Sequence, residues 1–220
     1  MSLLNAILNI VFPVNCISCG KNGADLCVSC LSNSPPAERE NAKWIFSFFD
    51  YRHPSIKKAI WLLKYKGKKK LANVFAEVMH GLILEELSEL SVMENFREPI
   101  LIPIPLARKR QRERGYNQAE LICKYLIKID EKNNMGENFK LENNILIKPK
   151  DTEHQVRIKD RQKRLKNIIG SFSVKNPEKI KGRNIIIIDD VLTTGATLNE
   201  ARKTLKQAGA KKIIAFTVAH

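Results

Sequence analysis

The run Ile185-Ile-Ile-Ile-Asp-Asp-Val-Leu-Thr-Thr-Gly-Ala-Thr197 joins three features that chemistry can use: a β-branched stretch, two adjacent carboxylates and a small, hydroxyl-rich turn. The four isoleucines predict a strand with Asp189 and Asp190 at its carboxyl end, where open α/β sheets bind their ligands. The turn that follows leads into a helix, so its backbone N–H groups can surround a phosphate. Gly195 allows close backbone approach, Ala196 belongs to the same turn, and the hydroxyls of Thr193, Thr194 and Thr197 add donors. Asp189 and Asp190 suit sugar hydroxyls or the positioning of Mg2+, a cation that prefers oxygen ligands. The segment therefore reads as a sugar-phosphate site. A plain strand-ending turn with a helix cap is the alternative, but two acids buried at a strand end without a partner are costly. No GxxxxGK[ST] motif occurs, which argues against a P-loop nucleotidase.

Four of the five cysteines form two C-x2-C pairs, Cys16/Cys19 and Cys27/Cys30. Each pair can hold two thiolates on one tight turn, and four thiolates suit a closed tetrahedral zinc site. An iron–sulfur cluster or a redox dithiol are the alternatives. Zinc held this way is a staple with no open position for catalysis, and its binding free energy of roughly 10–16 kcal/mol would fold a segment too small to fold alone. Cys123, on an apolar helix face, reads as a buried thiol. The first thirteen residues have neither a basic start nor a small-residue cleavage site, and they are too short to cross a bilayer. Reduced thiols in a cytoplasmic protein are the expectation. Leu3, Leu4, Ile7, Leu8 and Val11 recur at helical spacing, predicting a short amphipathic helix that packs on the domain or touches a membrane or a partner.

The elements that must position these groups follow from periodicity. Residues 1–33 form a helix-plus-cysteine head, residues 34–43 (with Pro35 and Pro36) a linker, and residues 44–220 the body. In the body, the aromatic run from Trp44 predicts a strand or hairpin, and residues 56–63 and 71–90 predict helices joined by a very basic turn. Residues 100–103 read as a short strand, followed by a loop and a helix over 118–129. Residues 131–144 are polar and loop-like, 144–148 and 171–174 read as strands, and 151–167 as a charged loop or helix. Residues 185–188 and 213–218 are apolar without alternation, the pattern of strands buried on both faces of a parallel sheet. With the amphipathic helix over 198–208 between them they make a βαβ unit. The body is α/β.

The acidic strand end and threonine turn resemble the 5-phosphoribosyl-1-pyrophosphate (PRPP) signature of type I phosphoribosyltransferases. Further blocks narrow the family. Ile102-Pro-Ile-Pro-Leu106, Arg110 and Arg114-Gly-Tyr-Asn-Gln-Ala-Glu-Leu121 resemble the P-x-P-L…R…R-G-F-N-Q-A-E-L block of the competence protein F (ComF) family. So do Leu63-Lys-Tyr-Lys-Gly67, the Thr152…Gln155…Arg164…Asn167…Gly170…Phe172 series and the four-cysteine finger. Tyr116 stands where Phe is usual, Ser171 where Ala is usual, and Lys150 near a usual Arg. The resemblance implies a type I phosphoribosyltransferase-like fold, a five-stranded parallel sheet with flanking helices, plus a small N-terminal zinc-binding head. It also implies PRPP with Mg2+ as ligand and cofactor, a role in natural transformation handling single-stranded DNA, and a competence helicase as partner. Location would be the cytoplasm, including the inner face of the membrane. Nothing resembles a glutaminase nucleophile, so glutamine-dependent amidotransfer is not expected.

The chain of 220 residues carries a formal net charge of +15, with 44% hydrophobic and 28% charged residues. That composition excludes wholesale disorder, and no repeat period is present. The positive charge points to a polyanionic partner. Eighteen of the 38 Lys and Arg fall in three runs, residues 57–70, 108–114 and 157–166. Lys64, Lys66, Lys68, Arg108, Arg110 and Arg114 are candidates for pyrophosphate or DNA. The surplus fits a nucleic-acid backbone, and Tyr65, Tyr116 and Phe172 lie near the basic runs as base-stacking candidates or core aromatics. Two readings stand: a DNA-handling competence factor with a PRPP pocket, and a phosphoribosyltransferase acting on an unidentified acceptor. No catalytic side chain is assigned.

Overall fold

The computed structural model describes residues 14–38, 42–133, 138–149 and 168–220. Among these residues, five parallel strands form one sheet in the order β1 (Ile45–Phe49), β7 (Lys212–Ala219), β6 (Asn184–Val191), β2 (Ile100–Pro103) and β3 (Lys140–Leu141). All four pairings are parallel, with Ile186 of β6 opposite Leu101 on one side and Ile214 on the other. A short antiparallel pair, β4 (Leu146–Ile147) and β5 (Ser173–Val174), stands apart from the sheet.

The unbroken isoleucines of β6 are explained by two separate cores. Ile186 and Ile188 pack into one, with Phe216 and Val218 of β7; Ile185 and Ile187 pack into the other. A strand alternates its side chains, so burial on both faces demands apolar residues at every position. All four are fully buried, each contributing about 1.5–3 kcal/mol relative to exposure. The first face is covered by α2 (Pro54–Tyr65), α3 (Lys70–Glu94) and α5 (Gln118–Lys132). The second is covered by α6 (Ala196–Gln207) and the β4–β5 pair.

The cysteine head, with its one-turn helix α1 (Val28–Ser32), is not a separate ball. Its Leu26 and Leu31 are fully buried in the same core as Phe75 and Met79 of α3. Part of the expected linker runs along β1, where the Ala37 N–H donates to Phe48 and Asp50 donates back to Pro35.

Among the described residues, the strands and helices expected from periodicity are present, with two corrections. Residues 108–114, expected as loop, form the short helix α4 (Arg108–Arg114), none of whose residues is buried. Residues 140–141, expected as loop, are the edge strand β3. The predicted N-terminal helix, the middle of the expected linker, the series Thr152, Gln155, Arg164 and Asn167, and the basic run 157–166 lie outside the described residues. No helix among the described residues is long and apolar enough to cross a membrane.

Candidate functional site

A cleft opens at the carboxyl end of β2 and β6. Its walls include Asp189 and Asp190 from β6, Lys64 from α2, Arg110 and Arg114 from α4, Lys148 after β4, and Thr197 from the first turn of α6. Four cations and two carboxylates from four parts of the chain thus meet, with Thr197 from a fifth. Thr193, Thr194 and Gly195 link β6 to α6, and Gly195, at φ 71°, is the N-cap. A Cβ there would sit 3.3 Å from the Asn199 side chain as well as requiring a left-handed backbone, so the turn suits glycine. The Ala196 N–H points at Thr194 Oγ1.

The electrostatics of the cleft are set by one close pair. Lys64 Nζ lies 2.7 Å from Asp190 Oδ1, with both side chains largely buried. Burial alone would lower the lysine's pKa, but the charge and hydrogen bond of Asp190 outweigh it and raise it. Among the described residues no cation pairs as closely with Asp189. Burial and the neighbouring charge of Asp190 push its carboxyl up to about 7, although it accepts the Asp190 N–H at 2.8 Å. Lys148 is pushed the other way, by burial and by Arg110, and its Nζ sits 5.3 Å over the Phe172 ring. The donor set fits a polyanion with an oxygen-seeking cation: cations for phosphate oxygens, and two carboxylates for a metal or for sugar hydroxyls. Mg2+ would draw on Asp189, whose proton it would displace, and on Asp190 in competition with Lys64.

The Arg114–Leu121 block holds this cleft together. Gly115, at φ 73°, ends α4, and Asn117 caps α5 by accepting the Ala119 N–H at 3.0 Å. Asn117 Nδ2 donates to the Ile104 carbonyl at 2.8 Å, tying the loop after β2 to the helix start. Arg114 donates to Gln118 Oε1 at 2.8 Å, while the Tyr116 hydroxyl donates to the Leu63 carbonyl and so joins α2 to the same corner. Asn117, Gln118 and Lys148 line the cleft and were not among the site residues expected. Asn117 and Gln118 lie inside a quoted block, whereas Lys148 carries no local signal.

Of the other candidates, Thr193, Thr194, Gly195 and Ala196 of the turn and Lys66, Lys68 and Arg108 are not among the residues that line the cleft. Lys66 Nζ lies 5.3 Å over the Trp61 ring, and Lys68 Nζ pairs with Asp25 Oδ1 of the head at 3.0 Å. Arg108 is exposed at the start of α4. Tyr116 and Phe172 are buried, so as core aromatics they are not open to stack bases; Tyr65 is exposed.

The four cysteine sulfurs of the head lie within 4.8 Å of one another. Cys27 Sγ is 3.8 Å from Cys16 Sγ and 3.9 Å from Cys19 Sγ. Zn–S bonds of about 2.3 Å in a tetrahedron place sulfurs about 3.8 Å apart, so the cluster fits a structural metal ion. Burial resists ionisation of Cys16, yet the backbone N–H groups around it lower its thiol to about 6. Cys123 is buried within α5, and burial raises its pKa, as befits a core thiol.

Comparison with known proteins agrees with this architecture. The phosphoribosyl transferase domain family matches residues 141–220. Competence protein F of Haemophilus influenzae is 38% identical over 115 residues, covering 51% of this chain and 46% of that protein. Competence protein ComFC of Bacillus subtilis is 31% identical over 164 residues, covering 74% of this chain and 59% of that protein. DNA utilization protein YhgH of Salmonella typhimurium is 27% identical over 202 residues, covering 90% and 80%. The chain is thus a homologue of the competence F, ComFC and YhgH proteins, built on a phosphoribosyltransferase-type parallel sheet with a four-cysteine cluster on its N-terminal side.

Proposed function

We propose that this chain serves DNA utilisation in natural transformation, handling incoming single-stranded DNA in the cytoplasm while its cleft binds PRPP with Mg2+. The observation that carries the reading is the cleft itself. Lys64, Arg110, Arg114 and Lys148 line one cleft with Asp189, Asp190 and Thr197 at the strand end, a donor set matched to a phosphorylated sugar bearing pyrophosphate. The competence and DNA-utilisation names of the relatives support the DNA role. The positive charge beyond what one small ligand needs supports a polyanionic polymer. A competence helicase is the expected partner, the head carries zinc, and peripheral contact with the inner membrane face through the N-terminal segment belongs to the same reading.

A salt titration of binding to a single-stranded oligonucleotide, with and without PRPP and Mg2+, tests it. Affinity should fall steeply with salt, by about 0.7 in logarithmic slope per phosphate contacted, and should change when PRPP–Mg2+ fills the cleft. Failure to bind at low salt would remove the DNA role; failure of PRPP–Mg2+ to raise the melting temperature would remove the ligand.

The convergence of two carboxylates and four cations also favours a second reading, phosphoribosyl transfer. An acceptor would form a bond to the anomeric carbon as the bond to pyrophosphate breaks. Mg2+ would neutralise charge on the pyrophosphate. Lys64, Arg110, Arg114 and Lys148 would hold its oxygens, and Asp189 and Asp190 would orient the ribose hydroxyls. Pyrophosphate release from PRPP in the presence of candidate acceptors separates this reading from simple binding.

A further inference from the structure

Most large aromatic side chains of this protein are buried or partly buried, and Phe75, Phe96 and Phe216 fully so. Two rings on one helix break the pattern. Trp61 is 45% and Tyr65 57% exposed, at positions i and i+4 on the outward face of α2, with ring centroids 6.3 Å apart. Each ring has a cation against it: Lys66 Nζ lies 5.3 Å from the Trp61 ring centre, and Arg114 Cζ 5.0 Å from that of Tyr65. Arg114 also lines the cleft beside Lys64, so the aromatic pair begins where the cleft ends.

We propose that Trp61 and Tyr65 form a stacking platform for the bases of a single nucleic-acid strand that passes the mouth of the cleft. The inference rests on the DNA-binding reading above and locates it on the outward face of α2, within the first basic run. Chemistry favours this occupant over others. Exposed rings cost free energy in water, and rings interleaved with lysines and arginines match a ligand with flat faces and a phosphate backbone. Lys57 and Lys58 on the same helix, and Arg108 and Arg112 on α4, are exposed and extend the positive field. An apolar protein partner or a bilayer core would have to desolvate those cations. A paired duplex keeps its base faces stacked inside and gains nothing from the rings. Tyr116, which the sequence made a stacking candidate, instead lies in the core with its hydroxyl on Leu63 and Lys69 Nζ 4.8 Å from its ring.

The test uses the full chain, an oligothymidylate and an abasic oligomer of equal length. Trp61 fluorescence should be quenched by oligothymidylate. The Trp61→Phe protein should lose that signal while keeping most of its affinity; its remaining Trp44 packs under Arg202. Trp61→Ala and Tyr65→Ala should each weaken oligothymidylate binding roughly tenfold, with the salt slope unchanged, because stacking rather than charge is lost. Neither should alter binding of the abasic oligomer. Wild-type affinity in both alanine variants would overturn the platform and leave the DNA reading standing. Equal losses for the abasic oligomer would also overturn it, assigning the rings a structural part. A wild-type protein that ignores oligothymidylate, whether or not it docks on anionic vesicles, would overturn the DNA reading and the platform together.

Discussion

Lys64 Nζ sits 2.7 Å from Asp190 Oδ1, so a lysine from the end of α2 neutralises the second acid of β6 across the cleft. The two single substitutions should not be equivalent. Lys64→Met leaves two adjacent carboxylates, Asp189 and Asp190, without their nearest cation. Asp190→Asn leaves Lys64 still facing Asp189, whose charge also favours the protonated lysine. Urea denaturation should find Lys64→Met the more destabilising, and a double-mutant cycle should give a coupling of about 1–3 kcal/mol. Additive losses would mean that the pair is not coupled.

Asp189 gives the protein a pH signature. Burial and the charge of Asp190 raise its folded pKa to about 7, well above that of an unfolded aspartate. Between those two values the folded state holds the extra proton. Stability therefore falls as pH rises from about 4 to about 7, then levels. Asp189→Asn should remove that part of the slope, seen as the difference between wild-type and variant melting temperatures across the range. Mg2+ bound with a phosphorylated sugar must displace the same proton. Ligand-induced stabilisation should accordingly be smaller at pH 6 than at pH 8, with a proton released on binding.

What could be read from the sequence was what depends on neighbours along the chain. Residues 185–188 announce a strand buried on both faces because every position is isoleucine, and they do pack into two cores. The threonine turn and both C-x2-C pairs are equally local. Helix α4 was missed because none of its residues is buried, so no apolar period marks it. Lys148 reaches the cleft only through the folding of the β4–β5 pair, and Lys68 finds Asp25 only because the head docks beside α3. Trp61 lies within the helix expected over 56–63, but its exposure depends on how α2 is rotated on the sheet.

The cysteine head should carry about one metal ion per chain, zinc on the reading proposed above. Its removal should reach into the body, because Leu26 and Leu31 belong to the core shared with α3 and Asp25 holds Lys68. A chelator with reductant should lower the melting temperature and expose four fast-reacting thiols. Cys123 should stay unreactive until global unfolding, since it is fully buried with its pKa raised. Metal analysis and thiol titration check both points. A metal-free preparation with an unchanged melting temperature would remove the staple.

The basic helix α4 divides into two tasks. Arg110 and Arg114 line the cleft, whereas Arg108 and Arg112 are exposed on the other side of the same short helix. If the outward pair contacts the backbone of a single strand, charge reversal there should weaken DNA binding without touching the ligand in the cleft. Arg108→Glu with Arg112→Glu should flatten the logarithmic salt dependence of oligonucleotide binding by about 1.4, the value for two lost phosphate contacts. Thermal stabilisation by PRPP–Mg2+ should persist in that protein. Arg110→Glu should do the reverse, abolishing the ligand-induced shift. A salt slope that survives the outward double substitution would place the DNA path elsewhere on the surface, while loss of the ligand shift in that variant would mean that α4 acts as one unit.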